Sequence, residues 1–210
     1  MPKVLADKEE VNFQEGIPAE PVRIYELLMG AFAEQRRSVV KFYVDGEDCM
    51  PTGEFPDTFE LIEAESLSHD EITLRLSKEF FNLMSNLEEE ILAYQANILI
   101  SSWNDVFKQM DQFVSKIQPF ADLIDHVLPF AQAYSPPWRE KFEKVAREQG
   151  SVLEAVLKAF ERNDPASLSN ELFNQFIPLY QTVVELFTNE VIPNLENTVA
   201  QNSSGTNSWC

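Results

Sequence analysis

The chain has 210 residues, 44% hydrophobic and 24% charged, a composition able to bury a sizeable core without disulfide or metal staples. Thirty-five Asp and Glu outweigh 16 Lys and Arg, for a net charge of −19. That balance excludes direct nucleic-acid binding and adsorption to anionic membranes, and leaves a basic protein partner, or solubility alone, as its meaning.

Residues 1–20 are polar, with Gly16 and Pro18 and no sustained period, and read as a flexible acidic arm. They contain no apolar segment of the kind a secretory leader needs. No run in the chain reaches the roughly 18 apolar residues that span a bilayer, so a cytoplasmic protein is expected. Cys49 and Cys210 show no disulfide or metal-site spacing.

Residues 21–66 read as a helix and β-hairpin unit. From Pro21 to Arg37, Ile24, Leu27, Leu28, Ala31 and Phe32 fall at helical spacing, with Pro21 suited to the first turn. Ser38 to Val44 is dense in β-branched and aromatic residues, and Asp45-Gly46 is a turn signal. Phe59 to Ala64 is the expected return strand after a loop long for a hairpin.

Residues 68–199 read as a kinked bundle of about four helices. Ser68 and Glu71 have capping-box spacing. Ile72, Leu76, Phe80, Leu83, Leu87, Ile91, Tyr94 and Ile98 then form an eleven-residue repeat expected on one nearly straight helix. Trp103, Val106, Met110, Phe113, Ile117, Phe120, Ile124 and Val127 form a heptad seam with Pro119 inside it, where a kink or restart is expected. The seam, or an exposed hairpin edge, could serve a homo-oligomer.

Ser135-Pro136-Pro137 is the clearest break, with Ser135 as the expected cap. Gly150-Ser151 with Glu154 reads as an end and a new capping box. Asn163-Asp164-Pro165 opens the last helical stretch, in which Pro178 and Pro193 imply a kink and a stop. Residues 200–210 are small and polar and are expected to be disordered. No Lys or Arg follows Arg162, a second one-signed stretch.

No nucleophile elbow, P-loop, Gly-rich dinucleotide loop or EF-hand loop is present, so the expectation is no catalysis and no cofactor. Asp122, Asp125 and His126 share a helical neighbourhood, but the chain lacks the Glu-x-x-His pairs of carboxylate-bridged metal bundles. A bundle enzyme built on them is the least favoured reading. Phe81, Phe107, Phe130 and Phe173 lie beside the main stripes and are assigned to core, or to a groove for a partner helix.

The strongest functional signal lies between Phe42 and Leu74, a stretch with ten carboxylates and no Lys or Arg, interleaved with apolar residues. Such a segment folds into a surface of one sign; it is not a solvated tail. Asp70 and Glu71 suit a helix start, and Asp45 and Asp57 suit turns. Glu47, Asp48, Glu54, Glu60, Glu63 and Glu65 have no such local role and are the candidate partner-binding residues. The expected function is a non-enzymatic interaction module, such as an adaptor, chaperone-like binder or assembly factor, presenting these acids to a basic protein. The alternative is a nucleic-acid mimic that inhibits a DNA- or RNA-binding protein.

Overall fold

The computed structural model describes residues 2–205. The chain is mainly helical with a small mixed five-stranded sheet, and it divides into two compact units after Ile72. Cys210 and the end of the expected disordered tail lie outside the described residues. Among the described residues, no helix is long and apolar enough to cross a membrane.

The first unit runs β1 (Lys3–Ala6), β2 (Glu9–Glu10), α1 (Pro21–Glu34), β3 (Arg37–Val44), β4 (Glu47–Asp48) and β5 (Leu61–Ser68). Residues 3–10, expected to belong to a flexible arm, instead form two strands of the sheet. Val4 and Ala6 are buried because β1 pairs in parallel with β5, the central strand of the order β2-β1-β5-β3-β4. The turn from β1 to β2 holds Asp7 and Lys8 at φ 50° and 72°. β3 and β5 pair antiparallel from Arg37–Ser68 to Val44–Ile62, with a bulge between Val39 and Lys41. The expected two-strand pairing is thus present inside a larger sheet. Asp45-Gly46 makes the turn from β3 into β4, at φ 49° and 86°.

α1 covers one face of this sheet. Ile24, Leu28 and Phe32 meet Val39, Phe42, Val44, Ile62 and Ala64 in one buried cluster. The long β4–β5 loop is anchored by Phe55, whose ring lies 5.4 Å from that of Tyr25 and 5.7 Å from that of Phe42. Alternation decides the rest: Phe42, Val44, Ile62 and Ala64 point inward, so Lys41, Tyr43, Glu63 and Glu65 point outward.

α2 (His69–Leu83) opens in the first unit and continues into the second. Its capping box forms as the sequence requires: Glu71 N donates to Ser68 Oγ at 3.2 Å, and Ser68 N donates to Glu71 Oε2 at 2.8 Å. The expected single helix to Ile98 does not form. A turn at residues 84–86 separates α2 from α3 (Leu87–Ile98). The turn buries Met84 and Leu87 and leaves Leu83, an expected stripe residue, 63% exposed.

The heptad seam lies along α4 (Trp103–Lys108) and α5 (Met110–Tyr134). Val106, Phe113, Phe120, Ile124 and Val127 are all buried. Pro119 neither ends nor restarts the helix; the break falls at Gln109. Ser135 takes φ 49° and ends α5, and does not cap the next helix. α6 (Arg139–Glu161) runs unbroken through Gly150-Ser151, since Val145, Gln149, Val156 and Phe160 bury its face. Glu154 pairs instead with Lys158 at 2.6 Å, which draws its carboxyl below the usual range.

The last helical rod consists of α7 (Pro165–Glu171), α8 (Ile177–Leu186) and α9 (Ile192–Gly205), joined by π turns at Leu172–Phe176 and Phe187–Val191. Asp164 caps it, accepting from Ser167 N at 2.9 Å, with Pro165 in the first turn. Each π turn ends one residue before an Ile-Pro pair, and Ile177 N and Ile192 N donate five residues back to Leu172 O and Phe187 O. The extra residue of each wide turn accommodates the ring and the missing amide of Pro178 and Pro193, so the helix passes both prolines and the expected stop is absent. Residues 200–205 are helical, not disordered. The rod is the centre of the second core: Leu168, Leu172, Phe176, Val183, Phe187 and Val191 are fully buried.

Candidate functional site

The outer face of the sheet carries the candidate acids. Strand register places Glu10, Leu5, Glu63, Tyr43 and Asp48 in one row across β2, β1, β5, β3 and β4. Facing residues in a ladder share a side, so this row lies opposite α1. Glu10 and Glu63 are exposed, and Leu5, Tyr43 and Asp48 are half-buried between them. A carboxylate row separated by an aliphatic and an aromatic side chain offers charge and contact area together.

The six candidate acids divide by what they touch. Asp48 Oδ1 accepts from Met50 N at 3.0 Å and closes the turn after β4, so it has a structural role the sequence did not reveal. Glu65 Oε2 lies 2.9 Å from Lys41 Nζ on the facing strand. That carboxylate holds the lysine ammonium above its ordinary range. Glu47, Glu54, Glu60 and Glu63 are exposed and have no side-chain partner among the described residues. Glu60 and Glu63 line a shallow recess with Asp45, Thr58, Phe59 and Leu61, and Glu47 and Glu54 lie beyond it.

Asp45 shows why turn acids must be separated from docking acids. Its Oδ1 accepts from Glu60 N at 2.9 Å and Leu61 N at 2.7 Å, tying the β3–β4 turn to the start of β5. The spacing of Asp45-Gly46 signalled the turn, but not this bond across the sheet.

A second polar group was missed in the sequence because its members lie far apart. Arg37 Nε donates to Ser66 Oγ at 2.8 Å, and Arg37 Nη2 reaches Asp7 Oδ2 at 3.1 Å. Ser66 in turn donates to Asp7 through both its hydroxyl and its amide. This network secures the N-terminal hairpin. Nearby, Ser38 Oγ and His69 Nε2 lie 3.0 Å apart where β3 meets the start of α2.

The residues considered for chemistry in the bundle do not converge. His126 Nδ1 bonds its own helix at Asp122 O, 2.7 Å away, and its ring lies against Phe80. Asp122 Oδ1 accepts from Gln118 one turn earlier. No group of three or more His, Cys, Asp or Glu able to hold a metal ion is found among the described residues. Cys49 is buried, which pushes its thiol up from the usual range. Phe130 is core and Phe81 packs at a tilt on Phe187, whereas Phe107 and Phe173 are 54% and 53% exposed. The seam is covered by the chain's own helices: Phe113 stacks on Tyr94 at 4.7 Å, and Trp103 lies 6.0 Å from Phe160. It is therefore not free to join two chains.

Two of the C-terminal acids are paired at the bundle surface. Glu196 pairs with Lys78 on α2 and Glu190 with Lys141 on α6. Of the five acids after Arg162, these two therefore meet lysines of other helices. Comparison of this chain with protein-family models, with curated proteins and with solved structures finds no match in any of the three.

Proposed function

We propose that the chain is a non-enzymatic interaction module that presents the outer face of its sheet to a basic protein partner. The carrying observation is that Glu47, Glu54, Glu60 and Glu63 are exposed without a side-chain partner, on or beside a row that also offers Leu5 and Tyr43. Unpaired surface carboxylates steer association and select against like-charged partners. Leu5 and Tyr43 would supply the apolar contact that charge alone does not.

Binding to such a face weakens as salt rises, since screened surface charges attract over a shorter range. Capture of proteins by the immobilised chain at low and high salt tests this reading. A partner rich in Lys and Arg, held at low salt, released at high salt, and lost in a Glu60→Lys/Glu63→Lys variant, supports it. Retention that ignores both salt and the substitutions overturns it. The nucleic-acid-mimic reading fits this surface less well, because Lys41 opposite Glu65 interrupts the run of one sign that imitation of phosphates needs.

A further inference from the structure

α1 has a second face that is exposed among the described residues. Its inward residues Ile24, Leu28 and Phe32 are buried, while Arg23, Leu27, Gly30 and Glu34 recur at spacings of four, three and four along the opposite side. All four are exposed. Gly30 is the unusual member. A glycine inside a helix is unfavourable relative to alanine, yet a Cβ at this position would meet nothing within 4 Å. The chain's own packing therefore does not require the bare backbone; a close approach from outside would.

The same four residues are complementary to themselves when the helix is reversed. Laid antiparallel about a two-fold axis between Leu28 and Met29, Arg23 of one helix faces Glu34 of the other, and Leu27 faces Gly30. Arg23, which pairs with Glu26 of its own helix at 2.7 Å, is shared with Glu34 of the second copy, and the leucine enters the gap that the glycine leaves. In a parallel pair the like charges would meet instead. We propose that the outward face of α1 is the docking site for a second copy of this chain, helix against antiparallel helix. A two-fold contact of this kind uses one patch twice. The site is distinct from the acidic sheet face, which lies on the other side of the sheet.

The helix has 14 residues and is about 21 Å long, so the contact falls at the small end of specific interfaces and the dimer is weak and concentration-dependent. Sedimentation equilibrium of the full chain at physiological salt, over about two decades of concentration around the micromolar range, reads it directly. The wild type is expected to pass from monomer to dimer. Glu34→Arg sets arginine against arginine and should abolish the dimer, although it lowers the net negative charge that opposes association. Arg23→Glu/Glu34→Arg has the wild-type net charge and should dimerise again. Gly30→Gln should remain folded by circular dichroism and stay monomeric. A chain that is monomeric throughout overturns the proposal, as does a dimer that Glu34→Arg and Gly30→Gln leave unchanged. Failure of the double variant to recover overturns the antiparallel arrangement.

Discussion

Asp7 and Ser66 are 59 positions apart and are joined twice, Ser66 N to Asp7 Oδ1 at 2.7 Å and Ser66 Oγ to Asp7 Oδ2 at 2.6 Å. Arg37 closes the group from the neighbouring strand. Asp7 sits at positive φ in the β1–β2 turn, so its side chain holds in place a backbone that would otherwise relax. Asp7→Ala should destabilise the first unit by about 2 kcal/mol, the usual magnitude for losing hydrogen bonds to a charged group. Urea unfolding gives the loss, and hydrogen exchange should show the Val4 to Ala6 amides opening first.

Tyr180 OH donates to Met84 O at 2.9 Å and so caps the end of α2 from the C-terminal rod. Tyr180→Phe removes one of the two donors to that carbonyl, Leu87 N at 3.0 Å being the other, and should cost about 1 kcal/mol. The difference should appear in the unfolding midpoint with little change in the denaturant slope.

Two acid-side effects meet at Asp164. Its bonds from the Ser167 amide and hydroxyl hold the carboxyl below its ordinary value of 3.8. A group depressed in the folded state contributes stability above its unfolded value and loses it as pH falls through the folded one. The stability gap between wild type and Asp164→Ala should therefore be full near neutrality and shrink below about pH 4. Thermal unfolding across that range reads it, and a gap that does not change with pH would refute the cap's charge dependence.

Tyr94 acts at the opposite extreme. Desolvation pushes its hydroxyl from 10.0 up to about 12. The unfolded chain ionises first, so stability is full below pH 10 and falls as pH rises toward 12. Tyr94→Phe should flatten that decline, measured as unfolding free energy against pH.

For the sheet face, Glu63→Lys should leave the unfolding curve nearly unchanged, because the side chain is exposed and has no partner among the described residues. Glu65→Lys places a second cation beside Lys41 and should lower stability slightly. Capture of a basic partner should fall for both variants, so binding and folding separate only in the first.

Local signals were legible in the chain. The Ser68–Glu71 box, the Asp45-Gly46 turn, the Asp164-Pro165 start and the seam from Trp103 to Val127 all depend on residues within one or two turns of each other. The Ser151–Glu154 box did not form, because burial along α6 outweighs a cap whose residues are equally content inside a helix. The parallel pairing of β1 with β5 was hidden for another reason: Val4 and Ala6 are short apolar markers in an acidic stretch, and their partners lie some sixty residues on. Of the six candidate acids, Asp48 has a local partner two residues on, Met50 N, which is a turn bond open to any acid at that position, whereas Glu65 meets Lys41 only once β3 and β5 are paired.

The position of the α7–α9 rod at the centre of the second core has a consequence for biogenesis. Residues 1–72 contain every strand of the sheet and its covering helix, so that unit can close as soon as it leaves the ribosome. α2, α3, α5 and α6 cannot do the same. Phe81 waits for Phe187, Phe120 for Phe176 and Trp138 for Asn194, and all three partners are translated afterwards. Until they emerge, the apolar stripes of four earlier helices are open to solvent and to chaperones, and a nascent chain stopped near Arg162 would carry a finished first unit beside an uncollapsed second one.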